Sequence, residues 1–325
     1  MRVTRNYGID LLKILACFGV VGLHTIYSKY TVFLYYLCAF AIPVFFVVHG
    51  YFLLGRKELS FEYLRKKSLK IIIVALFWTI SVNFLKLIFS NSPVNPFLET
   101  WNELFFQKGS FFQFWFLGAL LLVYIFTKPL KYFMNKWGGV KVCGILIVIC
   151  LIVDVISCTM SYKYGLVLQS FVPQTFRLWS WLMYFSLGGL IASGKEIKIS
   201  PLFAVFIWVF NAIIAYYLLV QIIHIPAAEY LYDNILLIST TVSFFVAFKN
   251  LNIKNNIIKS IVSYFGNLVM GVYIIHLYSM TICGHFIPRD SGILVLINYI
   301  AVIVVSFGVT MIIRKIPFIN KMIQL

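Results

Sequence analysis

Apolar residues run through this chain in ten long blocks, separated by short polar connections that are often basic: residues 9–26, 32–54, 69–88, 111–127, 142–158, 178–192, 202–222, 235–248, 268–287 and 293–313. A block of about 20 such residues predicts a helix that crosses a bilayer, since the hydrocarbon core is ~30 Å thick and a helix rises ~1.5 Å per residue. The sixth and eighth blocks are short for that task. The pattern predicts an all-α fold, a polytopic membrane bundle of about ten transmembrane helices, as one integral-membrane domain over residues 1–325 with no appended soluble domain. No internal repeat or low-complexity linker divides it.

Composition points the same way. With 62% hydrophobic and 11% charged residues, a 325-residue chain has too little polar surface to cover a soluble globule. The formal charge of +17 would suit nucleic acid, but the cations sit in short connections between apolar blocks, so no nucleic acid is expected. Membrane lipid and an anionic ligand are the expected partners. With the N-terminus in the cytoplasm, 21 of the 27 Lys and Arg fall on the cytoplasmic side. Outside lie Lys29, Lys108, Lys163, Arg177 and Arg289, while Lys86 falls within the third block. That asymmetry predicts a multi-pass protein of the plasma or inner membrane with both termini cytoplasmic. Arg2 and Arg5 before an apolar stretch imitate a signal peptide, but Lys13 interrupts its apolar core and nine more blocks follow. The stretch 91–108, with Pro93, Pro96 and Trp101, reads as an interfacial cap. The cysteines show neither a C-x-x-C pair nor metal-ligand spacing, so they read as small core residues and no metal site is expected.

Ionisable residues inside a span are costly, which makes each one a candidate functional group. Lys13 and His24 share the first block, eleven positions apart; on a helix they lie on one face, ~16 Å apart along the axis. Two readings of each stay open on chemistry alone. Lys13 is a ligand-binding cation or a lysine whose amine reaches the headgroups; His24 is a reacting imidazole or a hydrogen-bonded packing residue. Arg65, Lys66, Lys67 and Lys70 enter the third block, with Lys67 and Lys70 three apart and on the same side of the membrane as Lys13. Topology alone would place lysines there. Together with Lys13 they would also hold a polyanionic head group whose long thin arm runs up the bundle to His24, and coenzyme A has that shape.

Other polar residues carry weaker signals. Asp10, three residues before Lys13, orients it or forms an internal ion pair, with Lys67 and Lys70 as its other candidate partners. Arg177, beside Trp179 and Trp181, suits a sugar or a lipid diphosphate as well as it suits interfacial anchoring. His276 in the ninth block orients the site or packs, and Trp115 reads as packing; with Arg177 they make up the candidate substrate-binding set. Asp154 falls inside the fifth block with no partner evident in the sequence.

These residues also carry a family resemblance. Arg5-Asn6-Tyr7-Gly8-Ile9-Asp10-Leu11-Leu12-Lys13, followed by His24, resembles the opening of the acyltransferase 3 family, where a basic residue and a histidine are separated by ten positions in the first helix. Ile42-Pro43-Val44-Phe45-Phe46-Val47-Val48-His49-Gly50-Tyr51 is similar to its second-helix motif, and Lys67-Ser68-Leu69-Lys70 to its paired basic residues before the third helix. Phe114-Trp115-Phe116-Leu117, Tyr184-Phe185-Ser186-Leu187-Gly188 and the segment 265–276, ending Tyr273-Ile274-Ile275-His276, resemble three later landmarks. There are departures. Lysine stands at 13, 67 and 70 where the family usually has arginine, which keeps the charge and loses the planar fork for phosphate. His49 stands where a small polar residue is usual, and Val269 where a hydroxyl residue is usual.

The resemblance implies an integral-membrane acyltransferase that moves an acyl group, most often acetyl, from cytoplasmic acyl-coenzyme A to a hydroxyl of a cell-surface glycan or its lipid-linked precursor. Acetyl-coenzyme A or another acyl-coenzyme A would be co-substrate, with no permanently bound cofactor. A sugar hydroxyl attacks a thioester poorly until a base removes its proton, so the chemistry assigns that task to His24, with a covalent acyl-histidine relay as the lesser route. Asp10 is the second candidate catalytic residue, through the position of Lys13, and Lys13, Lys67 and Lys70 would hold the coenzyme. Some family members carry an outer hydrolase-like domain; none is expected after Leu325, so the bundle or a separate protein would complete the transfer. No G-x-S-x-G, Walker or H-E-x-x-H pattern supports hydrolase, ATPase or zinc-protease chemistry. The alternative is a polysaccharide exporter or small-solute transporter of similar architecture. A non-catalytic scaffold would leave the Lys13 and His24 alignment without a task.

Overall fold

The computed structural model describes residues 5–90 and 94–324. Arg2 of the opening segment, Pro93 of the expected cap and the terminal Leu325 lie outside the described residues. Helix α1 (Tyr7–Thr25) starts at Asn6, whose side chain accepts from the Ile9 N–H at 3.0 Å and donates to the Lys249 carbonyl at 2.8 Å. One side chain thus satisfies an orphan donor of the first turn and pins that turn to a distant helix end. The second apolar block is broken: α2 (Val32–Leu37) and a tight turn at Cys38–Phe40 precede α3 (Ala41–Leu54). Then follow α4 (Phe61–Ser90), α5 (Pro96–Phe106), α6 (Trp115–Trp137), α7 (Gly139–Tyr164) and α8 (Leu178–Ser193). Next, α9 (Pro201–Ile214) continues into a wider π-type stretch, Ala215–Ile222, before α10 (Ile235–Lys249) and α11 (Asn256–Gly266). The chain ends with α12 (Val269–Phe286), α13 (Gly292–Arg314) and the single turn α14 (Pro317–Asn320).

No strand occurs among the described residues, so the fold is all-α. Among the described residues, eight helical stretches are long and apolar enough to cross a membrane, and α8 and α10, with 16 and 15 residues, are the short apolar helices that correspond to the sixth and eighth blocks. Ten is therefore an approximate count of crossings. Large apolar side chains face outward along whole helices: Ile73, Ile80 and Phe84 on α4, Val148, Ile152 and Val155 on α7, Phe203, Phe206 and Phe210 on α9, and Ile293, Ile300 and Val304 on α13. Such stripes are unstable in water and suit lipid. All six cysteines are free.

The bundle is organised around α1, which packs against α3, α10, α11, α12 and α13. Its two ends define the site. The basic end is where α1 begins and α4 carries Lys67; the far end is where α1 finishes. The close pair α3 and α8 is built on small residues: a Cβ on Gly188 would lie 2.1 Å from the Val47 carbonyl oxygen, and one on Gly50 would lie 1.8 Å from that of Phe185. Backbones that near to each other admit only hydrogen at those positions.

At the far end a polar network fastens α5 onto α4 and fixes the segment that follows. Lys86 is ion-paired to Glu99 at 3.0 Å, which explains a lysine inside an apolar block. Glu99 also accepts from the Ser110 N–H and hydroxyl and from Asn83. Glu103, fully buried, accepts from the Thr79 hydroxyl at 2.5 Å and from the Phe111 N–H at 2.8 Å. Between them Gly109 has φ +114, a backbone open to glycine, and any Cβ there would meet Glu103.

Burial pushes the Glu103 carboxyl up to about 7 from 4.5, against its hydrogen bonds from Thr79 and Phe111. A folded-state value above the unfolded one means that this contribution to stability is complete below about pH 4.5 and is lost as pH rises through about 7. Amide exchange over residues 108–113 is therefore expected to quicken between those pH values beyond its intrinsic chemical dependence, and Glu103→Gln should abolish that excess. An equal excess in the variant would remove Glu103 as its source.

Candidate active site

His24 closes the last turn of α1 at the far end, and the Arg289 guanidinium donates to the Thr25 carbonyl beside it, capping the negative helix end with a cation. The His24 ring is half-buried. Among the described residues it has no hydrogen-bond partner. Its neighbours are aromatic: the Phe112 ring stands edge-on at 6.0 Å between centroids, and the His276 ring lies at 5.1 Å with the planes inclined by 47°. Phe112 is presented by the segment that Glu103 holds through the Phe111 N–H. That segment is tied from the other side by α12, where the Tyr273 hydroxyl donates to the Gln113 carbonyl and Gln113 Nε2 donates to the Ile274 carbonyl at 3.3 Å. His276, wholly buried on α12, donates from Nδ1 to the Tyr273 carbonyl at 2.7 Å.

The basic end lies eleven residues back along the same unbroken helix, a rise of ~16 Å. Asp10 is buried between two cations, with Arg5 Nε at 2.5 Å and Lys13 Nζ at 2.6 Å. Of the pairings open on sequence, the one with Lys13 is made, and Arg5 joins it. Arg5 also donates to the Ser263 carbonyl and to Asn267 Oδ1, both at 3.1 Å, so Asp10 and Lys13 are referenced to the end of α11. The Lys13 side chain keeps 27% exposure, enough to reach a ligand. Lys67, half-buried, and Lys13 are the charges that act on His49, whose Nδ1 donates to the Phe45 carbonyl at 2.8 Å. Arg56 and Lys70 in turn act on Lys67, and Tyr63 lies under both Arg56 at 4.1 Å and Lys67 at 5.9 Å. Lys13, Lys67 and Arg56 thus form one positively charged end, with His49 among them. Lys70 is exposed and opens onto a neighbouring cavity of about 400 Å³, whose other cations are Lys66 and Lys321.

The remaining candidates are held by partners of their own. Arg177 is 4% exposed and committed to its surroundings: it donates to the Val172 and Glu229 carbonyls, pairs with the Glu229 carboxylate at 3.5 Å and lies over Tyr230. A substrate contact by Arg177 requires the Glu229 pair to open. Trp115 is packed against Trp181 with 5.5 Å between centroids. Asp154 accepts from Asn234 at 2.8 Å. No cluster of three metal-ligating side chains occurs among the described residues.

An ionisable face joining a cationic end to an open histidine, inside an all-helical bundle with lipid-facing stripes, sets this geometry beside known proteins. The family model described as an acyltransferase domain matches residues 6–315, nearly the whole chain. This chain belongs to the acyltransferase 3 family. A curated relative, named as an amino-acid racemase of Enterococcus faecalis, is 31% identical over 129 residues, which is 36% of this chain and 18% of that protein. The chain therefore spans less than a fifth of the length of that relative. No solved structure matches.

For this member of the family, sequence reading missed several members of the two ends. Arg5 carried a signal in its position before the first helix, one turn from Asp10, but its contacts to residues 263 and 267 come from packing across more than 250 positions. His49 reads in the sequence as a departure and as a candidate second polar group of the site; that Lys13 and Lys67 both act on it comes from the packing of separate helices. The contact of His24 with His276 is likewise a product of packing α1 against α12.

Proposed function

We propose that this acyltransferase moves an acyl group, acetyl in the simplest case, from acyl-coenzyme A to a hydroxyl of a cell-surface glycan or its lipid-linked precursor. The observation that carries the reading is the open His24 at one end of α1, with Lys13 and Lys67 at the other. Coenzyme A combines phosphates, which need cations, with a long uncharged arm, which a bundle interior accepts. Lys13, Lys67 and Lys70 take the phosphates, and Asp10 with Arg5 sets the position of Lys13. His24 removes the proton of the acceptor hydroxyl as its oxygen attacks the thioester carbonyl, then returns that proton to the departing coenzyme A thiolate. The basic end faces the cytoplasm, where acyl-coenzyme A is made, and 21 of the 27 Lys and Arg lie on that side. Racemisation belongs to the Enterococcus faecalis relative as a whole; the family match covers far more of this chain than that likeness does.

The test is radiolabelled acetyl transfer from acetyl-coenzyme A into membranes containing the protein, beside mass spectrometry of surface glycans with and without its gene. Acetyl esters on the glycan that vanish with the gene support the reading. An unchanged ester content sinks it.

A further inference from the structure

A buried acceptor without a donor marks the neighbour of His24. His276 is wholly buried, and its Nε2 has no hydrogen-bond partner among the described residues. Its Nδ1 faces the Tyr273 carbonyl at 2.7 Å. A carbonyl only accepts, so Nδ1 carries the proton, and in the neutral imidazole Nε2 then holds a bare lone pair. Buried acceptors are rarely left that way, because losing water without gaining a donor is costly. The adjacent ring is His24, 5.1 Å away between centroids and also without a hydrogen-bond partner. The titratable group that acts on His276 is His24 itself. His24 is the partly exposed member of the pair; catalytic hydrogen bonds commonly tighten only when substrate binds.

Resting on the acyltransferase mechanism above, we propose that His276 is a positioning residue for His24. Its Nε2 accepts the N–H of one His24 ring nitrogen, which leaves the lone pair of the other nitrogen aimed at the acceptor hydroxyl. The arrangement is a base with an orienting third group, here a neutral imidazole. A neutral orienter suits a bundle interior, where a carboxylate would bring a buried charge. The proton balance closes without a further reactant. The acceptor O–H bond breaks and its proton joins His24; the new ester C–O bond forms as the C–S bond breaks; His24 passes the proton to sulfur. Throughout, the other His24 N–H stays on His276.

The test uses the full chain in membranes, with radiolabelled acetyl-coenzyme A as donor and the endogenous membrane acceptor. His276→Asn keeps a donor near the Tyr273 carbonyl and removes the acceptor at the Nε2 position; His276→Gln places an amide oxygen there. His276→Asn is expected to lower kcat about tenfold to a hundredfold with the acetyl-coenzyme A KM unchanged, and His276→Gln to recover most of the loss. The double variant with His24→Gln should be no slower than His24→Gln alone, since residues acting as a unit are not additive. Equal activity of the Asn and Gln variants, or additive losses in the double variant, overturns the proposal. If His24→Gln is inactive while His276→Asn is normal, the positioning role alone fails; if His24→Gln transfers acetyl normally, the mechanism beneath it fails too.

Discussion

Replacing His24 by glutamine is expected to lower acyl transfer by about a hundredfold or more while acetyl-coenzyme A still binds. Glutamine keeps the approximate size and the hydrogen-bonding capacity, but it has no nitrogen basic enough to take a proton at neutral pH. The structure gives the substitution little else to disturb. His24 makes no hydrogen bond among the described residues, and its aromatic contacts are with Phe112, edge to face, and with the inclined ring of His276. Binding should survive because the cations Lys13 and Lys67 stand at the other end of the bundle, ~16 Å along the helix. Single-turnover transfer together with acetyl-coenzyme A titration separates the two quantities. Loss of affinity equal to the loss of rate would assign His24 to binding instead.

The second large effect is expected at the basic end. Lys67→Ala with Lys70→Ala should weaken acetyl-coenzyme A binding by about tenfold to a hundredfold, through two lost charge-assisted contacts. The two positions are not equivalent. Lys67 is half-buried and acts, as Lys13 does, on His49, whereas Lys70 is exposed on the neighbouring cavity with Lys66 and Lys321, so most of the loss should come from Lys67. Insertion should persist, because Arg56, Lys57, Arg65 and Lys66 remain on the same side. Isothermal titration of detergent-solubilised protein reads the affinity. An unchanged Kd in the double variant would leave these lysines a role in topology alone.

Much of this architecture was legible in the sequence because a bilayer imposes a length and a composition on each crossing. The apolar blocks and the short helices α8 and α10, at the sixth and eighth blocks, follow from that constraint alone. The helical alignment of Lys13 and His24 needed only a continuous α1. What stayed hidden depends on packing or on local geometry. Helix α11 is 11 residues long and lies between blocks, where run length says nothing. The turn at Cys38–Phe40 breaks a block that reads as uninterrupted, since its residues are as apolar as their neighbours. Lys86 looked like an anomaly until Glu99 folded back onto it, and the meeting of His24 with His276 joins positions 252 apart. Arg177 looked available for a sugar because its pairing with Glu229 is formed by chain segments 52 positions apart.

In the proposed function this family member acylates a surface glycan through His24. The most direct measurement is the number of acyl groups per repeat unit on surface glycan from cells whose copy carries His24→Gln, with the amount of surface glycan measured in the same cells. The account predicts a normal amount of glycan that has lost its acyl esters. Normal acylation on a reduced amount of glycan would contradict it and identify the bundle as an exporter.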